Sequence, residues 1–84
     1  QHESIVQEVK KIQKDKEYIV VEITWGWQER RRNYSGKEIQ RNYSEIFGDW
    51  KHGFIVYEKW KNGETPVFAY GGPISGRVQK ILVH

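Results

Sequence analysis

The sequence has no cysteine. That removes disulfide staples, cysteine zinc sites and thiol catalysis together, and with no oxidised pair to protect, the reducing cytoplasm is the expected compartment. It also has no long apolar run. A membrane helix needs about 20 consecutive apolar residues, nothing here approaches that, and no membrane partner is expected. The opening Gln1, His2 and Glu3 lack the charged and apolar regions of a secretion leader. Metal ligands are scarce: His2, His52 and His84 are scattered, with no ligand spacing between them, so neither a metal nor a cofactor is expected. A nucleophile elbow is missing as well, and the glycines of 71–76 run into strand-like sequence rather than the helix a phosphate loop needs. The chain is therefore not expected to be an enzyme. The one chemical alternative, a small ribonuclease built on His52 with Arg and Glu neighbours, ranks last.

What is present is aromatic and basic. Aromatic residues make up 14% of 84 residues and charged residues 30%, with a formal net charge of +3. Large rings bury the most area per side chain, which a short chain without staples needs. At this length a single hydrophobic core is expected, hence one domain over residues 1–84. Fourteen Lys and Arg against eleven Asp and Glu is a modest excess that favours an anionic partner.

Periodicity divides the chain. In residues 4–16, Ile5, Val6, Val9 and Ile12 recur as on one side of an amphipathic helix, with Ser4 and Gln7 spaced as a capping box; a first strand is the competing reading. Residues 18–27 are dense in β-branched and aromatic residues and predict a strand, with Gly26 as a bulge or close approach. Residues 28–43 are polar, holding Arg30, Arg31 and Arg32 and the turn-like Asn33-Tyr34-Ser35-Gly36. Arg32-Asn33-Tyr34-Ser35 recurs as Arg41-Asn42-Tyr43-Ser44, and Ser44 to Phe47 reads as one helical turn before Gly48. In residues 54–70, Asn62-Gly63 separates two strand-like runs and predicts a two-residue hairpin turn. That register sets Trp60 against Thr65 and Tyr57 against Phe68. Phe54, Val56, Trp60, Val67 and Ala69 would then share one face, and Ile55, Tyr57, Phe68 and Tyr70 the other. Residues 77–83 predict a last strand. The expected fold is α+β, an antiparallel sheet of about four strands with one N-terminal helix, the alternative being a small barrel of SH3-like or OB type.

Two features point to function. Adjacent arginines cannot all be neutralised internally, and guanidinium forks suit phosphate oxygens. If the segment is a strand, Arg30 and Arg32 share a face that Arg31 opposes; the structural reading of the triplet is a charged edge that blocks aggregation. Trp27 and Tyr34 lie nearby in sequence, and the hairpin supplies Tyr57, Tyr70, Lys59 and Lys61. Cations beside stacking rings are how proteins hold single-stranded nucleic acid without strong sequence preference.

The run from Lys51 to Tyr57 resembles the basic-glycine-aromatic strand of RNA-recognition and cold-shock domains, departing from it at Ile55 and Val56. The expectation is a small nucleic-acid-binding module of limited specificity, using Trp27, Arg30, Arg31, Arg32, Tyr34, Tyr57, Lys59, Lys61 and Tyr70. The alternative is a protein-interaction or inhibitor module that docks its aromatic hairpin on a protein partner or a second copy of itself.

Overall fold

The computed structural model describes residues 2–24, 26, 28–48 and 52–71. The elements are α1 (His2–Val9), β1 (Glu17–Thr24), β2 (Gln28–Ser35), α2 (Gly36–Ile46), β3 (Gly53–Trp60) and β4 (Gly63–Tyr70). The strands form one antiparallel sheet in the order β2-β1-β3-β4. The fold is the expected α+β type; the sheet is open rather than closed into a barrel, and it carries a second helix, α2. No helix among the described residues is long and apolar enough to cross a membrane. The expected strand at 77–83 lies outside the described residues.

The first helix is shorter and earlier than its periodicity suggests. It ends at Val9, where the bonds tighten from Lys10 N–H to Val6 C=O into Lys11 to Glu8 and Ile12 to Val9, the three-residue step of a closing turn. Ser4 lies inside this helix, so the Ser4–Gln7 capping box is not what starts it. Ile5, Val9 and Ile12 are nonetheless all buried. Past the helix, the Gln13 N–H donates to the Tyr18 hydroxyl at 2.9 Å, tying the connection to β1.

β1 and β2 form a hairpin paired over all eight residues, from Glu17 opposite Ser35 to Thr24 opposite Gln28. β2 has little intrinsic strand character, and ladder pairing with β1 holds it extended. Gly26 lies at the hairpin connection with φ +74°, a conformation that favours glycine; a Cβ there would meet nothing within 4 Å. Its role is therefore conformational, and neither the bulge nor the close approach expected of it is seen.

α2 opens on a complete capping box. The Ser35 hydroxyl accepts from the Glu38 N–H at 3.1 Å, and the Glu38 carboxylate accepts from the Ser35 N–H at 3.2 Å. Gly36 follows because there is no room for more: a Cβ there would sit 1.9 Å from the Gln13 carbonyl oxygen. Its N–H donates to the Lys16 carbonyl at 2.8 Å, and the Gln40 side chain donates to the Ile12 carbonyl at 2.6 Å. Both contacts anchor α2 to the connection that follows α1.

Both helices cover one face of the sheet. Ile5, Val9, Ile12, Ile39 and Phe47 pack there on Tyr18, Val20, Phe54, Val56 and Phe68. Phe47 is the hub, edge-on to Phe54 at 5.3 Å and to Tyr70 at 6.2 Å, geometries that aromatic quadrupoles favour. The other face carries a smaller cluster of Val21, Ile23 and Ile55 with Ile19, Tyr57 and Ala69, to which neither helix contributes.

The β3–β4 hairpin forms where Asn62-Gly63 predicts it, in a different register. Gly63 pairs with Trp60 and takes no positive φ, so the turn residues are Lys61 and Asn62. Lys59 faces Glu64, Glu58 faces Thr65, and Tyr57 faces Pro66 before a bulge sets Val56 opposite Phe68. At the turn the pairing has slipped by two residues, which keeps faces; the bulge leaves a net slip of one beyond it, and a one-residue slip exchanges faces. Phe68 consequently lies with Phe54 and Val56 under the helices, as Tyr70 does, while Ala69 lies with Ile55 and Tyr57. The expected apolar grouping of Tyr57 with Phe68 and Tyr70 is thereby corrected.

Candidate nucleic-acid interface

The arginine triplet lies on β2, an edge of the sheet, with Arg30, Arg31 and Arg32 all exposed. Strand alternation sends Arg30, Arg32 and the half-buried Tyr34 to the helix side and Arg31 to the other. The three guanidiniums then have different fates. Arg31 reaches across β1 and β3 to β4, where its Nη2 donates to both carboxylate oxygens of Glu64 at 2.6 and 2.7 Å. On the way its guanidinium carbon passes 5.8 Å from the Tyr57 ring centroid. Arg31 is therefore committed within the chain. Arg30 and Arg32 have no hydrogen bond or ion pair among the described residues.

The nine residues expected at the interface do not form one surface. Arg30, Arg32 and Tyr34 lie together on the helix side of β2. Tyr57 and Lys59 accompany Arg31 on the opposite side, where Lys59 Nζ donates to Asn33 Oδ1 at 3.4 Å. Lys61 stands exposed in the hairpin turn. Tyr70 belongs to the core side of the far edge strand, against Phe47. Trp27 lies outside the described residues. Phe54, the first ring of the run resembling an RNA-binding strand, is 3% exposed beneath the helices, so it offers no base a stacking surface.

Tyr57 responds to its surroundings. Burial pushes its hydroxyl above the ordinary value of 10.0, the Glu29 and Glu64 carboxylates push the same way, and the Arg31 charge partly opposes them. Trp60, half exposed at 51%, donates its indole N–H to the Thr65 hydroxyl at 2.7 Å and carries Lys16 Nζ 4.7 Å from its centroid. Lys16 also pairs with Glu58 at 3.5 Å.

Between β2 and α2 lies a cleft of about 430 Å³. Arg30, Arg32 and Tyr34 line one wall, Asn42, Glu45 and Ile46 of α2 the other, and Val20, Glu22 and Phe54 the floor. α2 departs from helical geometry at Asn42, with φ −117° and ψ 22°, on the side that meets the cleft. Glu22 is opposite Arg30 in the ladder, yet its carboxylate is hydrogen-bonded to His52 Nδ1 at 2.7 Å. Asn42 and Glu45 make no hydrogen bond or ion pair among the described residues. The sequence reading did not assign Glu22, Asn42, Glu45 or Ile46 to a site. Glu22 is visible as the one acid inside the apolar run of β1; Glu45 and Ile46 fall in the predicted turn at 44–47, and Asn42 in the part of α2 ahead of it that the turn does not reveal.

The cleft thus joins uncommitted cations, a ring, a floor that includes the Glu22 carboxylate and uncommitted hydrogen-bonding groups, on a chain for which no protein family, curated protein or solved structure gave a match.

Proposed function

We propose that this chain is a small nucleic-acid-binding module that holds a single strand along β2 and its cleft, with limited sequence preference. The observation that carries this reading is the pair of uncommitted guanidiniums, Arg30 and Arg32, side by side with Tyr34 at a cleft. A charge with no internal partner neither stabilises the core nor satisfies a neighbour, and bidentate phosphate contact is the interaction a guanidinium is shaped for. Tyr34 beside them supplies a face for a base. Arg31, Lys59 and Tyr57 are a second basic and aromatic group on the opposite face of the sheet.

Titrating single-stranded RNA and DNA against the intrinsic fluorescence of the four tryptophans, at low and moderate salt, tests the reading. Saturable quenching whose affinity falls with salt is the expected result, because each neutralised phosphate releases counterions. Absence of any response at low salt overturns it.

One observation favours a second reading. The β2 backbone pairs in a ladder only with β1 among the described residues, so its outer edge is available for a strand from a protein partner or a second copy. A salt-insensitive dimer in sedimentation, with no nucleic-acid response, would select it.

A further inference from the structure

The cleft does more than carry phosphate-binding arginines, and its second wall indicates what enters it. Arg30 and Arg32 form the cationic wall on β2. Asn42 and Glu45, one helical turn apart on α2, form the other. Neither has a partner among the described residues, so the wall offers a carboxylate acceptor beside an amide able to donate. A carboxylate facing a pair of arginines without bonding either one is a poor phosphate site in itself; it would repel the anion the arginines attract. It suits a ligand carrying negative charge at one end and hydrogen-bond donors at the other. Volume agrees, since about 430 Å³ lies within the range of sites that enclose a small organic molecule.

Resting on the single-strand reading above, we propose that the cleft is a base pocket that takes one unstacked guanine nucleotide of the bound strand. Its phosphates meet Arg30 and Arg32, its ring lies against Tyr34, and its Watson–Crick edge meets α2. Guanine is selected by the order of its polar groups. It alone among the four bases presents two adjacent donors, N1–H and the N2 amino group, which a carboxylate accepts together, with the O6 acceptor beside them for the Asn42 amide. Uracil sets one donor between two acceptors that Glu45 repels, while adenine and cytosine set their amino group beside an acceptor. Glu22, the other carboxylate of the cleft, has one oxygen hydrogen-bonded to His52 Nδ1 at 2.7 Å.

The test uses the whole chain with guanosine, adenosine, cytidine and uridine monophosphates in calorimetric titrations, and in parallel a short oligouridine strand with and without a single guanine. Guanosine monophosphate is expected to bind on the order of tenfold more tightly than the other three, the worth of one bidentate base contact. The guanine-containing strand should exceed the plain one by a similar factor. Glu45→Gln should abolish the preference, weakening guanosine monophosphate toward the other three and relieving the repulsion of uridine. Arg30→Gln with Arg32→Gln should weaken all four nucleotides equally. Equal affinities for the four nucleotides, or a guanine preference that survives Glu45→Gln, overturns the base pocket while leaving strand binding standing. Failure of both nucleotide and strand to bind overturns the single-strand reading as well.

Discussion

β1 and β2 are the same length, run side by side and pair residue for residue, yet they do opposite work. In β1 the side chains of Tyr18, Val20, Val21 and Ile23 are buried, feeding clusters on both faces of the sheet. In β2 six of eight residues are exposed. Val20 sits opposite Arg32 and Val21 opposite Arg31, so each pair sets a fold-determining residue against one the core does not need. The hairpin teaches that one strand can be specified by its own burial and its neighbour by pairing alone, which leaves the neighbour's side chains open to other chemistry.

The sharpest way to break this contrast is to truncate on each strand. Ile23→Ala should cost about 2 to 5 kcal/mol in chemical denaturation, through lost burial and the cavity left behind. Should it cost no more than an exposed substitution, the burial account of β1 is wrong. The next effect falls where β2 does carry structure, at its last residue. Ser35→Ala removes the cap of α2 and should cost about 1 kcal/mol; Ser35→Asp, which caps as well, should restore most of it.

Smaller still is the Arg31–Glu64 pair, 46% and 32% exposed at its side chains. Replacing Arg31 with alanine should cost less than about 1 kcal/mol, and less again in high salt. It should also raise the Tyr57 hydroxyl further, because the one charge that opposes burial is gone. A phenol held above its ordinary value contributes stability that is intact below the usual tyrosine range and is lost as pH rises through the folded value. Alkaline absorbance titration of Tyr57→Phe against the parent isolates that step, and an unmoved tyrosine in Arg31→Ala would place the guanidinium elsewhere. The smallest effect on stability is expected for Arg30→Ala and Arg32→Ala, within about 0.5 kcal/mol of the parent.

The sequence carries the sheet because β1 and β3 bury alternate or continuous β-branched and aromatic residues, a signal that survives without context. It conceals α2 and the cleft for identifiable reasons. Arg32-Asn33-Tyr34-Ser35 ends strand β2, and its copy Arg41-Asn42-Tyr43-Ser44 lies in helix α2. Identical tetrapeptides in opposite conformations show that tertiary pairing, rather than local preference, decides there. A signal for α2 was nonetheless present: Ser35 followed by Glu38 is a capping box, and Ile39, Tyr43, Ile46 and Phe47 recur at helical spacing behind it. Gly36 masked this by looking like a turn, when it is a glycine because the Gln13 carbonyl leaves no space.

The site was half legible for a similar reason. Alternation separates Arg31 from Arg30 and Arg32 in any strand, but only the cross-sheet geometry reveals that Arg31 is spent on Glu64. Asn-Gly favours the two central turn positions, whereas here Gly63 already pairs with Trp60; the turn therefore sits one residue early, a two-residue slip in pairing that the bulge between Val56 and Tyr57 reduces to one beyond it. That slip moved Phe68 and Tyr70 from the expected stacking surface into the core.

The central claim is that Arg30 and Arg32 are held by the fold without serving it. Measuring the denaturation midpoint and single-stranded RNA affinity of the Arg30→Ala, Arg32→Ala double variant against the parent, across a salt series, tests it most directly. The account predicts an unchanged midpoint, weaker binding, and a log–log salt slope shallower by roughly 1.4, the share of two phosphate contacts on a single strand. A lowered midpoint with unchanged affinity and slope would contradict it, making the two arginines part of the fold's own stability.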